Sequence, residues 1–102
     1  MKLREIAHSR AGDKGLLVNV SLIAFDERDF PRLARLVTAE RVQAHFAEVA
    51  PGEVTRYEMP AIGALNFVLR RRAGDSVTES LALDAHGKSL SSALLDLEIE
   101  EA

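Results

Sequence analysis

The chain reads as an α+β protein with helices packed on one face of a mainly antiparallel sheet. Three observations predict it. A β-branched run with two-residue alternation, LLVNVSLIAF at 16–25, follows the amino-terminal segment. The period changes to helical spacing from Asp29, and strand signals then return before a last short amphipathic segment. The order is two strands, a long helix, two or three strands and a helix, without repeats or linkers.

Residues 2–7 (KLREIA) read as a short strand and 16–25 as a longer one. In the second, Leu16, Val18, Val20, Leu22 and Ala24 form an apolar face, and Leu17, Asn19, Ser21, Ile23 and Phe25 a mixed one. Asn19 is then a polar group at risk of burial. Asp29 can cap the helix that follows, Pro31 suits its first turn, and Leu33, Leu36 and Val37 recur at helical spacing. Thr38 offers a restart, after which Val42, Phe46 and Val49 continue the stripe until Pro51-Gly52 stops it. His45, beside that stripe, reads as a neutral histidine at the rim of a packed face.

Residues 53–59 (EVTRYEM) read as a strand ended by Pro60, and 77–83 (VTESLAL) as another. Between them LNFVLRRR alternates well enough to pair with VTESLAL across Ala73-Gly74-Asp75, although Leu65, Val68 and Leu69 also fit a helix. The hairpin is the expectation. Ser89 can cap a final helix with Leu90, Ala93, Leu94 and Leu97 on its buried side, and the tail EIEEA is expected to be solvated.

A chain of 102 residues is the size of one domain. Its 47% apolar and 28% charged residues are those of an ordinary globular protein, not a disordered one. Thirteen basic against sixteen acidic side chains leave a formal charge of −3, so no nucleic acid and no anionic membrane is expected as a partner. The absence of cysteine removes disulfides, thiolate catalysis and zinc–thiolate sites and fits a reducing compartment. No segment approaches the run of about 18 apolar residues that spans a bilayer, and the cytoplasm is the simplest expectation.

Two polar, glycine-bearing segments carry most of the distinct functional groups: HSRAGDKG at 8–15 and DAHGKS at 84–89. Two residues suffice to join antiparallel strands, so eight between strand signals suggest a loop with a separate task. Gly87-Lys88-Ser89 has the ending of a phosphate loop, but the glycine required five positions earlier is Ala82, and a nucleoside triphosphate site is rejected. Backbone amides opening the last helix, with Lys88, still offer a place for one carboxylate or phosphate. His8, Asp13, Asp84 and His86 are metal-ligating types, yet no spacing supports a site, and neither metal nor cofactor is expected. Ser9 beside His8 lacks the Gly-x-Ser-x-Gly elbow, and neighbours on a strand point to opposite faces, so a Ser-His dyad is rejected. The acidic residues mostly occupy helix surfaces and the tail, which leaves no acid–base pair of carboxylates.

The series REIAHSRAGDKG, VTAERVQAHF, ALNFVL and SLALDAHGKSLSSALLDLEI closely resembles the ferredoxin-fold domain at the carboxyl end of the acyclic terpene utilisation protein AtuA, which also occurs as stand-alone small proteins. The most specific matches are Gly12-Asp13-Lys14-Gly15, Ala39-Glu40-Arg41-Val42, Ala64-Leu65-Asn66-Phe67 and Asp84-Ala85-His86-Gly87-Lys88. The resemblance implies a ferredoxin-like α+β domain working with a larger partner, an AtuA-like protein or an acyl-CoA-metabolising enzyme, in bacterial catabolism of terpenoid or branched acyl compounds. It supplies no catalytic residue.

Three readings of the two segments follow. In the first, His8, Arg10, Asp13, Lys14, Asn66, Asp84, His86 and Lys88 line a polar seam that receives a partner surface or the anionic group of an acyl thioester. In the second, a small hydrolase or lyase uses His8 or His86 as base and Lys14 or Lys88 to stabilise an anion. In the third, both segments are bonded turns in which Asp13 and Asp84 accept backbone amides. An exposed sheet edge in so small a domain also points to a homodimer.

Overall fold

The structure is a computed structural model that describes residues 1–14, 17–47, 52–70 and 90–100, with Asp13 and Lys14 described by their backbone pairing alone. Four strands form one antiparallel sheet: β1 (Ala7–Lys14), β2 (Leu17–Ala24), β3 (Val54–Met59) and β4 (Ala64–Arg70), in the order β1-β2-β4-β3. Helices α1 (Phe30–Leu36), α2 (Ala39–His45) and α3 (Leu90–Leu95) pack on one face, α1 over β2 and β4, α2 over β3 and β4, α3 over β1 and β2. This is the α+β arrangement the sequence predicts.

The first strand is displaced from its expected place. Residues 3–5 form a 3-10 turn, held by the Glu5 carboxylate accepting the Lys2 N–H at 2.9 Å, and the strand runs through what reads as a loop. HSRAGDK is therefore the body of β1, paired with β2 from Ala7↔Ala24 to Lys14↔Leu17. The signal was hidden because this strand alternates small residues, Ala7, Ser9 and Ala11, with polar ones, and alanine and glycine are poor strand formers. Those small residues lie on the side that carries α3, and Ala7 is buried there.

β2 and β4 form the centre of the sheet. Val18, Val20 and Leu22 stand directly opposite Leu69, Phe67 and Leu65, and all six are buried under the helices with Leu33, Val37, Val42, Phe46 and Leu94. β4 carries β2 on one edge and β3 on the other. LNFVLR is thus a strand, as expected, but both its edges are filled over Ala64–Leu69, and the pairing expected with 77–83 has no free edge there. Residues 77–83 lie outside the described residues. The β3–β4 turn explains the outcome: Pro60–Ile62 form a 3-10 turn and Gly63 adopts φ 64°, the left-handed conformation that glycine takes without steric cost, so β4 returns onto β3.

The expected long helix is two short ones. Val37 leaves the helical region with ψ 83°, and Thr38 is extended and caps α2 by accepting the Arg41 N–H at 3.1 Å, the restart its position suggested. Asp29 makes no capping bond; Asp26 instead caps the preceding 3-10 turn through the Arg28 N–H. Arg56 lies on the helix side of β3 and donates to the Ala34 and Val37 carbonyls at 2.8 and 3.4 Å, satisfying groups that the end of α1 leaves open.

The carboxyl-terminal tail is not solvated as a whole. Ile99 is 5% exposed and belongs to the core, Ile99 and Met1 exchange backbone bonds at 2.9 Å, and Leu3 N–H donates to Leu97 O at 3.1 Å. Glu98 and Glu100 do face solvent, pairing with the Met1 ammonium and Arg41 respectively. An isoleucine among the three glutamates of EIEEA carries little local signal of burial. Ser89, the residue expected to cap α3, lies outside the described residues.

Candidate functional site

Among the described residues the helices cover one face of the sheet and leave the other open. Register alone assigns the open face, because directly paired residues share a side. Three cross-strand rows run over it: His8, Ile23, Ala64, Met59; Arg10, Ser21, Asn66, Tyr57; and Gly12, Asn19, Val68, Thr55. A fourth begins with Leu17 opposite Arg70.

His8, Arg10 and Asn66, which the sequence offers as one polar seam, do share this face. Lys14 and Asp13 continue the ladder opposite Leu17 and Val18. Asp84, His86 and Lys88 lie outside the described residues, so the meeting of the two glycine-bearing segments is not part of what the structure describes. With HSRAGDK in a strand, the first segment is neither a flexible loop nor a bonded turn.

Four polar side chains on the face have defined neighbours. Asn66 Nδ2 donates to Asn19 Oδ1 at 3.1 Å, one row away, so the two asparagines of the central strands satisfy each other. Ser21 donates to the Arg10 carbonyl at 3.3 Å. The His8 ring stacks on Phe25, with centroids 5.5 Å apart and planes 16° from parallel. Ser9, on the helix side of the same strand, has a buried hydroxyl without a hydrogen-bond partner among the described residues.

Large apolar groups are exposed on and around this face: Leu17 at 42%, Tyr57 at 53%, Phe25 at 65% and, in the β3–β4 turn, Ile62 at 60%. Sequence reasoning passed over Tyr57 and Phe25. The outward period of EVTRYEM, which puts Thr55, Tyr57 and Met59 on one side, is the signal that identifies Tyr57. An open cavity of about 180 Å³ lies at one end of the face, lined by Leu17, Glu53, Thr55, Val68 and Arg70.

The chemistry of this arrangement is that of contact. Its described histidine is packed against an aromatic ring, and the cavity is walled by an acid, a base, a hydroxyl and two aliphatic side chains. His45, remote from the face, donates Nε2–H to the Ala93 carbonyl at 2.6 Å and meets Phe46 edge-on, tying α2 to α3 as a rim histidine should. Carboxylates with displaced proton affinity also lie elsewhere. The Arg28 side chain, then its N–H, hold Asp26 at about 2, and a hydrogen bond from Arg41 lowers Glu100. Among the described residues no group of three His, Cys, Asp or Glu could hold a metal ion, and no helix is long and apolar enough to cross a membrane.

A family model for the AtuA ferredoxin-like domain matches residues 1–100. No curated protein and no solved structure matches the chain.

Proposed function

This chain belongs to the AtuA ferredoxin-like domain family, and from that premise we propose that it is a non-catalytic accessory domain whose open sheet face docks on another protein. The carrying observation is that face itself. Leu17, Phe25 and Tyr57 stand exposed beside a self-satisfied Asn19–Asn66 pair and two guanidinium groups, Arg10 and Arg70. Exposed apolar groups among polar ones, with aromatic and arginine residues present, are the composition of a protein interface. The family likeness supplies the setting we infer: work with a larger AtuA-like protein, or an acyl-CoA-metabolising enzyme, in catabolism of terpenoid or branched acyl compounds in the cytoplasm.

The catalytic alternative, a hydrolase or lyase with a histidine base and a lysine anion stabiliser, draws less support. The His8 ring is engaged by Phe25 and does not line the cavity. The test is a titration of the chain against a purified AtuA-like protein and, separately, against acyl-CoA thioesters. The expected result is protein binding weakened about tenfold or more by Phe25→Glu or Leu17→Glu at unchanged circular dichroism, with no thioester turnover. Thioester hydrolysis that is lost in His8→Ala would overturn the reading.

A further inference from the structure

We propose that in the free protein the open face is covered by a second copy of this chain, which the larger partner displaces, stacked sheet on sheet about a two-fold axis parallel to the strands, with Arg10 of each copy over Tyr57 of the other. This rests on reading that face as a docking surface. Register carries it. The row Arg10–Ser21–Asn66–Tyr57 crosses the sheet from one edge strand to the other, so its ends differ in chemistry: a cation on β1, an aromatic ring on β3.

An isologous pair must bring a surface onto itself. A two-fold axis along the strands, passing between β2 and β4, exchanges the edges and keeps every row. It sets each guanidinium over a phenol ring, a favourable cation–π arrangement, with Ser21 over Asn66 and Ile23 over Ala64. The axis perpendicular to the strands does the opposite. It lays β1 on β1, gathers Arg10 and His8 of both copies along one edge, and sets the tyrosines over each other at the opposite edge rather than over a guanidinium. Electrostatics therefore selects the first. The ordinary −30° rotation between stacked sheets displaces the edge strands by only a few ångströms, within reach of an arginine side chain. The same stacking takes Leu17 and Tyr57 out of water, both of which the isolated chain exposes.

The chain contains no cysteine, which makes the geometry directly measurable. Gly12 and Thr55 end one row on opposite edges; both are exposed, and a side chain at Gly12 meets nothing within 4 Å. Gly12→Cys and Thr55→Cys chains, mixed and treated with a short bis-maleimide, are expected to give the mixed cross-linked dimer. Each variant alone should give little, because like positions then lie roughly 17 Å apart, three strand spacings across and one sheet separation of about 10 Å. Sedimentation should return twice the 11.2 kDa of one chain. Tyr57→Arg should weaken association about tenfold or more, and Arg10→Glu added to it should restore it. Predominant Gly12-to-Gly12 linkage, or a dimer indifferent to Tyr57→Arg, overturns the proposal in favour of another axis or of edge pairing. A monomer at high concentration also overturns it. If Tyr57→Arg then still impairs binding of the AtuA-like protein, the docking face stands and only its occupant was wrong; if it does not, both readings fall.

Discussion

Asn66 reaches across from β4 and donates through Nδ2 to Oδ1 of Asn19 on β2, 3.1 Å away, in the middle of the open sheet face. Neither asparagine pairs with the residue directly opposite; the bond joins neighbouring rows and ties two central strands by side chains as well as backbone. Both are half-buried, so water can replace part of the bond if it is lost. Asn66→Ala is expected to lower stability by about 1 kcal/mol in urea denaturation. Adding Asn19→Ala should cost much less than a second such loss, because the partner is already gone.

Thr38 separates α1 from α2 by supplying an extended residue whose hydroxyl accepts the Arg41 N–H. Thr38→Ala should therefore destabilise the fold by about 1 kcal/mol, and Thr38→Ser should remain close to the parent. Equal losses in both variants, measured by thermal or urea unfolding, would remove the hydroxyl from the account.

Ile99 anchors the carboxyl-terminal tail to the core, and its backbone pairs with Met1. Ile99→Ala is expected to cost about 3 kcal/mol, the range of buried aliphatic truncations. Glu98→Gln, on an exposed side chain paired with the Met1 ammonium, should change stability by less than about 1 kcal/mol. The contrast between adjacent positions is the observable.

Asp26 contributes a pH dependence at the acid end. The Arg28 side chain and then its N–H hold the Asp26 carboxyl at about 2, against 3.8 ordinarily. A carboxylate whose affinity for protons is lowered on folding favours the folded state above the unfolded value. That advantage is complete above about pH 4 and disappears as pH falls through about 2. A carboxyl-carbon NMR titration should place the native midpoint near 2 and show it rising toward 3.8 in Arg28→Gln. An unmoved midpoint would assign the shift to something other than the arginine.

Where the chain's periodicity was strong, sequence and structure agree. VNVSLI and LNFVLR show their alternation directly, and Pro60, Thr38 and Pro31 act at the positions local chemistry gives them. HSRAGDK does not read as a strand from sequence because small and polar residues carry little strand signal on their own. It becomes a strand because β2 offers it an edge and α3 needs small residues beneath it. His8, Arg10 and Asn66 were recognisable as chemical types, whereas their common face is a matter of register, which no local pattern specifies.

The sequence by itself determined the α+β class, the membership in an AtuA ferredoxin-like family, the central strands and the helix restart. These follow from propensities and patterns that act within a few residues. Only the tertiary structure decided that β4 lies between β2 and β3, that Ile99 leaves an acidic tail for the core, and that Arg10 and Tyr57 end the same row. Those outcomes depend on which buried faces and strand edges compete for one another across the whole chain, and that competition is settled by packing rather than by any local stretch.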